Sequence, residues 1–219
     1  MIDCYIKVHK GGKIYKDCVS SWLYSFLTKQ YHDEGFGKYF NGSKVNGHSF
    51  YITVNTVEEG DLFKVSIRGI PIILNKILKG LYLGKKVRLG KVQGEVALLD
   101  THQPEYKEIF ELGSPLVVRK ETIRYRHTTK KPEKSLDELV VASLERKYEE
   151  LYGEPLPGLA SLKLFLKEPE DIKIMIHGEW VTHVGYRGHV EIIATDEWLE
   201  FIQEVGLGNR TTYGFGAII

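Results

Sequence analysis

One eleven-residue string concentrates the residue types that could do chemistry: Gly206-Leu207-Gly208-Asn209-Arg210-Thr211-Thr212-Tyr213-Gly214-Phe215-Gly216. Two Gly-hydrophobic-Gly triplets flank five residues that include one arginine. Glycine admits positive φ and lets a backbone come close to a ligand. A run of N–H groups in such a loop can cradle phosphate oxygens, and Arg210 adds a forked cationic donor. Gly206, Gly208, Asn209, Arg210, Thr211, Thr212, Gly214 and Gly216 are therefore candidates to bind a phosphate-bearing partner. Leu207 and Phe215 would pin the ends of the loop to the core. The competing reading is a glycine-rich helix cap and turn with no ligand. The string is not a dinucleotide or nucleoside-triphosphate loop. Those need a strand before and a helix after, or a Gly-Lys-Ser/Thr ending; here a helical pattern precedes and a strand pattern follows.

Charge supports a polyanionic partner locally but not globally. The 219 residues carry a net charge of only +1. Between Lys76 and Lys91 lie six basic residues and no acid, and between Arg119 and Lys134 seven basic residues against Glu121 and Glu133. Acids gather instead over 137–154 and 191–204. Segregated signs can present a basic face to phosphates, although a solvated surface would have the same composition. Arg119, Lys120, Arg124, Arg126, Lys130 and Lys131, with Tyr125 and His127 among them, could follow an RNA backbone and stack a base. The two cysteines, Cys4 and Cys18, make no disulfide framework, and no Cys/His spacing reads as a zinc site. No metal or cofactor is expected. Apolar runs are far shorter than a membrane helix requires, and the first ten residues alternate with no signal-peptide block. A soluble protein of the cytoplasm is the expectation.

The elements that must position the glycine string follow from periodicity. Ile2, Cys4, Ile6 and Val8 alternate as in a strand, and Val19, Trp22, Leu23, Phe26 and Leu27 recur at helical spacing after Asp17, a plausible cap. Strands are predicted over Ser49–Asn55 and Leu62–Arg68, a helix over Ile72–Leu83 begun by Pro71, and a strand or hairpin over Val87–Leu99. The order then repeats. A strand is predicted over Ser114–Lys120, a helix over Leu136–Tyr152 capped by Ser135, and strands at Leu162–Leu166 and from Ile172 onward to Ile193. A short helix capped by Thr195 and a last strand over Tyr213–Ile219 complete the half. Each half reads strand–helix–strand–strand–helix–strand. The fold class is α+β, two tandem ferredoxin-like (βαββαβ) domains, 1–105 and 106–219, with the boundary in the polar stretch around Pro104.

At this point the sequence resembles a known family. The glycine string resembles the signature of the CRISPR repeat-processing endoribonucleases of the RAMP superfamily: Gly-hydrophobic-Gly, five residues with at least one Lys or Arg, Gly-hydrophobic-Gly. Gly185-Tyr186-Arg187-Gly188-His189 and Gly113-Ser114-Pro115-Leu116-Val117-Val118 look similar to family segments, and the doubled order fits.

The resemblance implies cleavage of precursor CRISPR RNA within each repeat without metal, by attack of a ribose 2′-OH on the adjacent phosphate. Such a reaction needs a proton acceptor, a proton donor and charge stabilisation. Tyr31-His32-Asp33-Glu34-Gly35 sits where the family places its histidine, so His32 is the implied general acid or base. Trp22-Leu23-Tyr24-Ser25-Phe26 matches the helix segment that carries a tyrosine in some members, implying Tyr24; Lys44 matches a loop lysine. The linker between helix and histidine is short here, and Tyr31, Lys38, Tyr39 and His48 stand as substitutes. His177, His183 and His189 read as structural or surface residues. The implied partner is CRISPR repeat RNA. An alternative is a non-cleaving RAMP-type scaffold subunit of an effector complex, and another is an unrelated ferredoxin-like protein with a glycine turn. A homodimer is compatible with the sequence.

Overall fold

The computed structural model describes residues 1–28, 47–118, 134–158, 161–176 and 179–219. The first half runs β1 (Ile2–Lys10), β2 (Gly12–Lys13), α1 (Lys16–Thr28), β3 (His48–Ile52), β4 (Thr56–Val57), β5 (Leu62–Gly69), α2 (Pro71–Gly80), β6 (Lys86–Leu89) and β7 (Val92–Thr101). The second runs β8 (Ile109–Glu111), α3 (Leu136–Tyr152), β9 (Ser161–Leu166), β10 (Glu170–Ile176), β11 (Glu179–Gly185), β12 (Gly188–Ile193) and α4 (Asp196–Val205), ending in a 3-10 turn at Thr211–Tyr213.

The first half builds an antiparallel sheet of order β3-β5-β1-β7-β6. Without β6, its four long strands have the ferredoxin-like order 2-3-1-4. Alternation places Ile2, Cys4, Ile6 and Val8 of β1, with Phe63, Val65 and Ile67 of β5, on the buried face. The helices cover that face. Val19, Leu23 and Leu27 of α1 fall four residues apart and are fully buried, as are Ile73 and Ile77 of α2. Pro71 opens α2, where its missing N–H costs nothing.

The second half repeats the order in worn form. Its sheet is β8-β12-β9, and residues 217–219 add a fourth edge beside β8 through a Leu112–Ile218 bridge and mutual Glu111–Ile219 bonds of 2.9 Å. Both halves are thus ferredoxin-like units in an α+β chain. Phe110, Leu144, Val190, Ile192, Trp198 and Ile202 join the residues of the first sheet in one continuous core. Ser135 caps α3 with a complete capping box, its hydroxyl accepting from Glu138 N while the Glu138 carboxylate accepts from Ser135 N.

Five expectations need correction. Residues 114–118, the described part of the Ser114–Lys120 strand, join no ladder beyond a Leu116–Tyr186 bridge. Their carbonyls are taken by the glycine string instead: Gly216 N donates to Pro115 O at 2.9 Å and Asn209 N to Val117 O at 2.7 Å. The strand expected over Tyr213–Ile219 is a 3-10 turn followed by the short edge at 217–219, because glycines at positive φ break the extended run. β10 and β11 do not continue into the second sheet but form a separate two-stranded hairpin. Thr195 and Asp17 stand at their helix starts, but Thr195 makes no side-chain cap bond, and Asp17 lies within the first turn of α1, accepting from Cys18 N at 2.9 Å.

Candidate nucleic-acid interface

The glycine string begins where α4 ends. Gly206 terminates the helix at φ 71°, and its carbonyl oxygen accepts from Lys147 Nζ of α3 at 3.2 Å. An ammonium is well placed there, because the last carbonyls of a helix carry its negative pole. Lys147 is buried, and that burial pushes its ammonium down to about 7. The string then doubles back on itself, with Leu207 N donating to Gly216 O at 2.8 Å. Leu207 and Phe215 are fully buried and pin the two ends.

The glycines answer to packing within the protein. Gly216 has φ +63°, and a Cβ there would run into the Leu207 carbonyl. Gly208 has φ +68°, and a Cβ would lie 2.5 Å from Val117 O. The N–H groups of Leu207, Asn209, Tyr213, Gly214 and Gly216 all donate within the chain, so the open cradle of donors suggested by the composition is largely spent on the fold. Thr211 and Thr212 are buried. What the loop presents outward is Arg210, exposed and in the left-handed region at φ 61°, its guanidinium 5.9 Å from the Tyr213 ring centre.

Two cationic side chains, Lys16 and Arg187, and the imidazole of His183 approach this loop from other elements. Lys16, in the first turn of α1, donates from Nζ to Gly214 O at 2.7 Å and lies 4.3 Å from the Phe215 ring centre. Burial, then the neighbouring Arg187 charge, pushes its ammonium down to about 8, against a smaller opposing effect of Glu170. Arg187 pairs with Glu170 at 2.6 Å. His183 of β11 has its ring 6.0 Å from that of Phe215, and its Nε2 is buried with no partner among the described residues. Desolvation, then Arg210, holds its imidazole below the usual range. His183, read from sequence as structural, therefore belongs to the surroundings of the loop.

The 3-10 turn of the string also packs on β3 and α1. Thr211 Oγ1 donates to His48 O at 3.4 Å, and the His48 ring meets the Tyr24 ring edge-on at 5.6 Å. Tyr24 is half-buried on α1. His48 is fully buried, and both ring nitrogens lack a partner among the described residues. Burial pushes it down to about 4, so it is neutral near pH 7. The structure thus brings together Tyr24, His48 and the glycine string. His32 and Lys44, with Tyr31, Lys38 and Tyr39, lie outside the described residues, as do Arg119, Lys120, Arg124, Arg126, Lys130 and Lys131.

Sequence reasoning did not single out Lys16 or Lys147, quoted Arg187 only within a family-like segment, and read His183 as structural or surface. One had a signal. A lysine in the first turn of a helix opposes the helix dipole, so Lys16 needs a compensating partner; Gly214 O and the Phe215 ring supply it. Among the described residues no group of three or more His, Cys, Asp or Glu is arranged to hold a metal ion, and no helix is long and apolar enough to cross a membrane.

The family model for the CRISPR associated protein Cas6, C-terminal, matches residues 99–218. No curated protein matches the sequence. Solved structures do match the whole fold. One, from work on a Cas6-related gene of Pyrococcus furiosus, is 17% identical with a TM-score of 0.71, over 100% of this chain and 97% of that one. A RAMP protein binding different RNA substrates is 16% identical with a TM-score of 0.67, over 99% and 97%. A Cas6 product complex is 12% identical with a TM-score of 0.59, over 100% and 98%. At these identities the likeness to the solved structures is one of fold.

Proposed function

Because this chain belongs to the Cas6 family of CRISPR-associated proteins, we propose that it is a metal-independent endoribonuclease that binds CRISPR repeat RNA and cuts the precursor within each repeat. The observation that carries the reading is the meeting of the glycine string with α1. Lys16 ties the start of α1 to Gly214, and Tyr24, two turns further along that helix, reaches His48 beneath Thr211. A loop that offers a cationic side chain to a phosphate is thereby fixed against the helix that leads to His32. The solved relatives described as RNA-binding and as a product complex support the same direction.

In the proposed reaction the ribose 2′-oxygen forms a bond to the adjacent phosphorus and the P–O5′ bond breaks. The products are a 2′,3′-cyclic phosphate and a 5′-OH. One group takes the 2′-OH proton and another returns a proton to O5′. We assign His32 to one of these transfers, Tyr24 to positioning or sharing a proton, and Lys44 to the charge that builds on the phosphate. Arg210 binds RNA at the glycine string, with Gly206, Gly208, Asn209, Thr211, Thr212, Gly214 and Gly216 shaping its backbone. Arg119, Lys120, Arg124, Arg126, Lys130 and Lys131 extend the contact along the RNA. In this assignment residues 1–105 carry the acid–base groups and residues 106–219 the glycine string.

The test incubates the protein with its own genome's repeat RNA in excess EDTA, beside His32→Ala and a substrate with a 2′-deoxy at the cut. Cleavage at one position is expected, lost with the 2′-deoxy and slowed by about 10²-fold or more in His32→Ala. Tight binding without cutting would place the chain among non-cleaving scaffold subunits.

A further inference from the structure

The β10–β11 hairpin has two faces with different fates. Ile172, Ile174 and His183 turn inward to Val117, Phe215 and Tyr213 and so back the glycine string. The other face carries Trp180, Thr182, Val184, Lys173 and Asp171, all exposed. Trp180 is 55% exposed, whereas the other two tryptophans, Trp22 and Trp198, are 8% and 1% exposed. Its ring meets Tyr15, which immediately precedes α1, at 6.1 Å and 66°. Lys13 Nζ lies 5.4 Å from the Tyr15 ring centre. Lys173 stands on the same face of the hairpin as Trp180.

A large aromatic ring left this open costs apolar hydration unless something covers it. Its flat face with a cationic border matches an unpaired base with its phosphates. We propose that Trp180 and Tyr15 form a stacking platform for an unpaired nucleobase of bound RNA, with Lys13 and Lys173 facing the adjoining phosphates. The proposal rests on the reading of the chain as an RNA-binding protein. Two observations favour a base over other occupants. Lys13 at the Tyr15 ring and Lys173 on the Trp180 face border the platform, while of the hairpin's acids Glu170 is paired with Arg187, leaving Asp171 and Glu179, and the platform is continuous through the hairpin with the glycine string. Trp180 comes from the second half of the chain and Tyr15 from the first, so a base seated there bridges the seam between them.

The exposed tryptophan supplies its own probe. The full-length protein is titrated with a single-stranded RNA oligonucleotide of the repeat sequence and with a blunt RNA duplex, following tryptophan emission. The single strand should quench the red-shifted emission of Trp180 more than the duplex does, and Trp180→Phe should lose the quench. Trp180→Ala should weaken single-strand binding about 5- to 160-fold, the range of one stacked base, while the slope of affinity against salt stays unchanged because no counterion release is lost. Trp180→Phe, which keeps a ring, should bind within about threefold of the parent, and circular dichroism should show all three folded alike. Binding by the parent without quenching, or undiminished affinity in Trp180→Ala, would overturn the platform and leave the RNA reading standing. Loss of a dimer in Trp180→Ala with RNA affinity intact would give the face to a second copy and also overturn it. Failure of the parent to bind RNA at any salt concentration would overturn both.

Discussion

Tyr24 and His48 show how a residue's surroundings decide its chemistry. His48 has the side chain most apt for proton transfer, yet it is fully buried and neutral near pH 7, with its ring against Tyr24. In this geometry it supports Tyr24 and does not meet RNA. Tyr24 is half-buried, so its hydroxyl is the group to test. Tyr24→Phe keeps the ring and its contact with His48. It should slow single-turnover cleavage on the order of 10²-fold, the lower end of a positioned proton-transfer group, with RNA affinity unchanged. At this scale the sequence was legible where spacing carried the information: the two glycine triplets, Arg210 and the helix position of Tyr24. It was not legible for Lys147 or His183, because what distinguishes them is burial against segments tens of residues away.

The glycine string, as an element, serves structure and binding through different residues, and these can be separated. Gly216→Ala forces a Cβ into the Leu207 carbonyl at φ +63°. The left-handed conformation costs about 1 kcal/mol for a residue with a side chain, and overpacking adds about 1–3 kcal/mol. A loss of about 2–4 kcal/mol in urea unfolding is therefore expected. Arg210→Ala removes an exposed side chain and should leave that unfolding midpoint within error, while weakening RNA binding and reducing its salt dependence by about one phosphate contact. Long helices were readable here. α3 and α2 repeat apolar residues at helical spacing and carry their start signals, Ser135 with Glu138 and Pro71. The last strand and the 114–118 strand were misread because their backbone groups bond to the glycine string, a non-local choice that alternation within a strand cannot reveal.

For the whole molecule, two buried groups impose opposed trends of stability with pH. His48 is pushed down from 6.5 to about 4, so the unfolded chain gains a proton that the fold refuses, and stability is lost as pH falls from 6.5 to 4. Glu204 is pushed up from 4.5 to about 7, by burial and then by Glu200 against the smaller pull of the N-terminal ammonium. The fold holds a proton there that the unfolded chain has released, so stability is lost as pH rises from 4.5 to 7. The two trends offset each other across the shared window. His48→Leu should expose a urea midpoint that falls between pH 5 and 7, and Glu204→Gln one that rises over the same range; parallel profiles would refute the opposition. The doubled ferredoxin-like plan was legible from element order alone, whereas the joining of both halves in one core was not. The Lys16–Gly214 bond closes a loop of 198 residues. Closing so long a loop costs entropy that only late contacts return, and native contacts so far apart in sequence slow folding. On the ribosome, the first half can assemble its sheet and helices while the second is still being made. The nascent chain therefore gains its paired α1 and glycine string only after Gly214 has emerged, so α1 waits through the making of the whole second half for the contact that seats the loop.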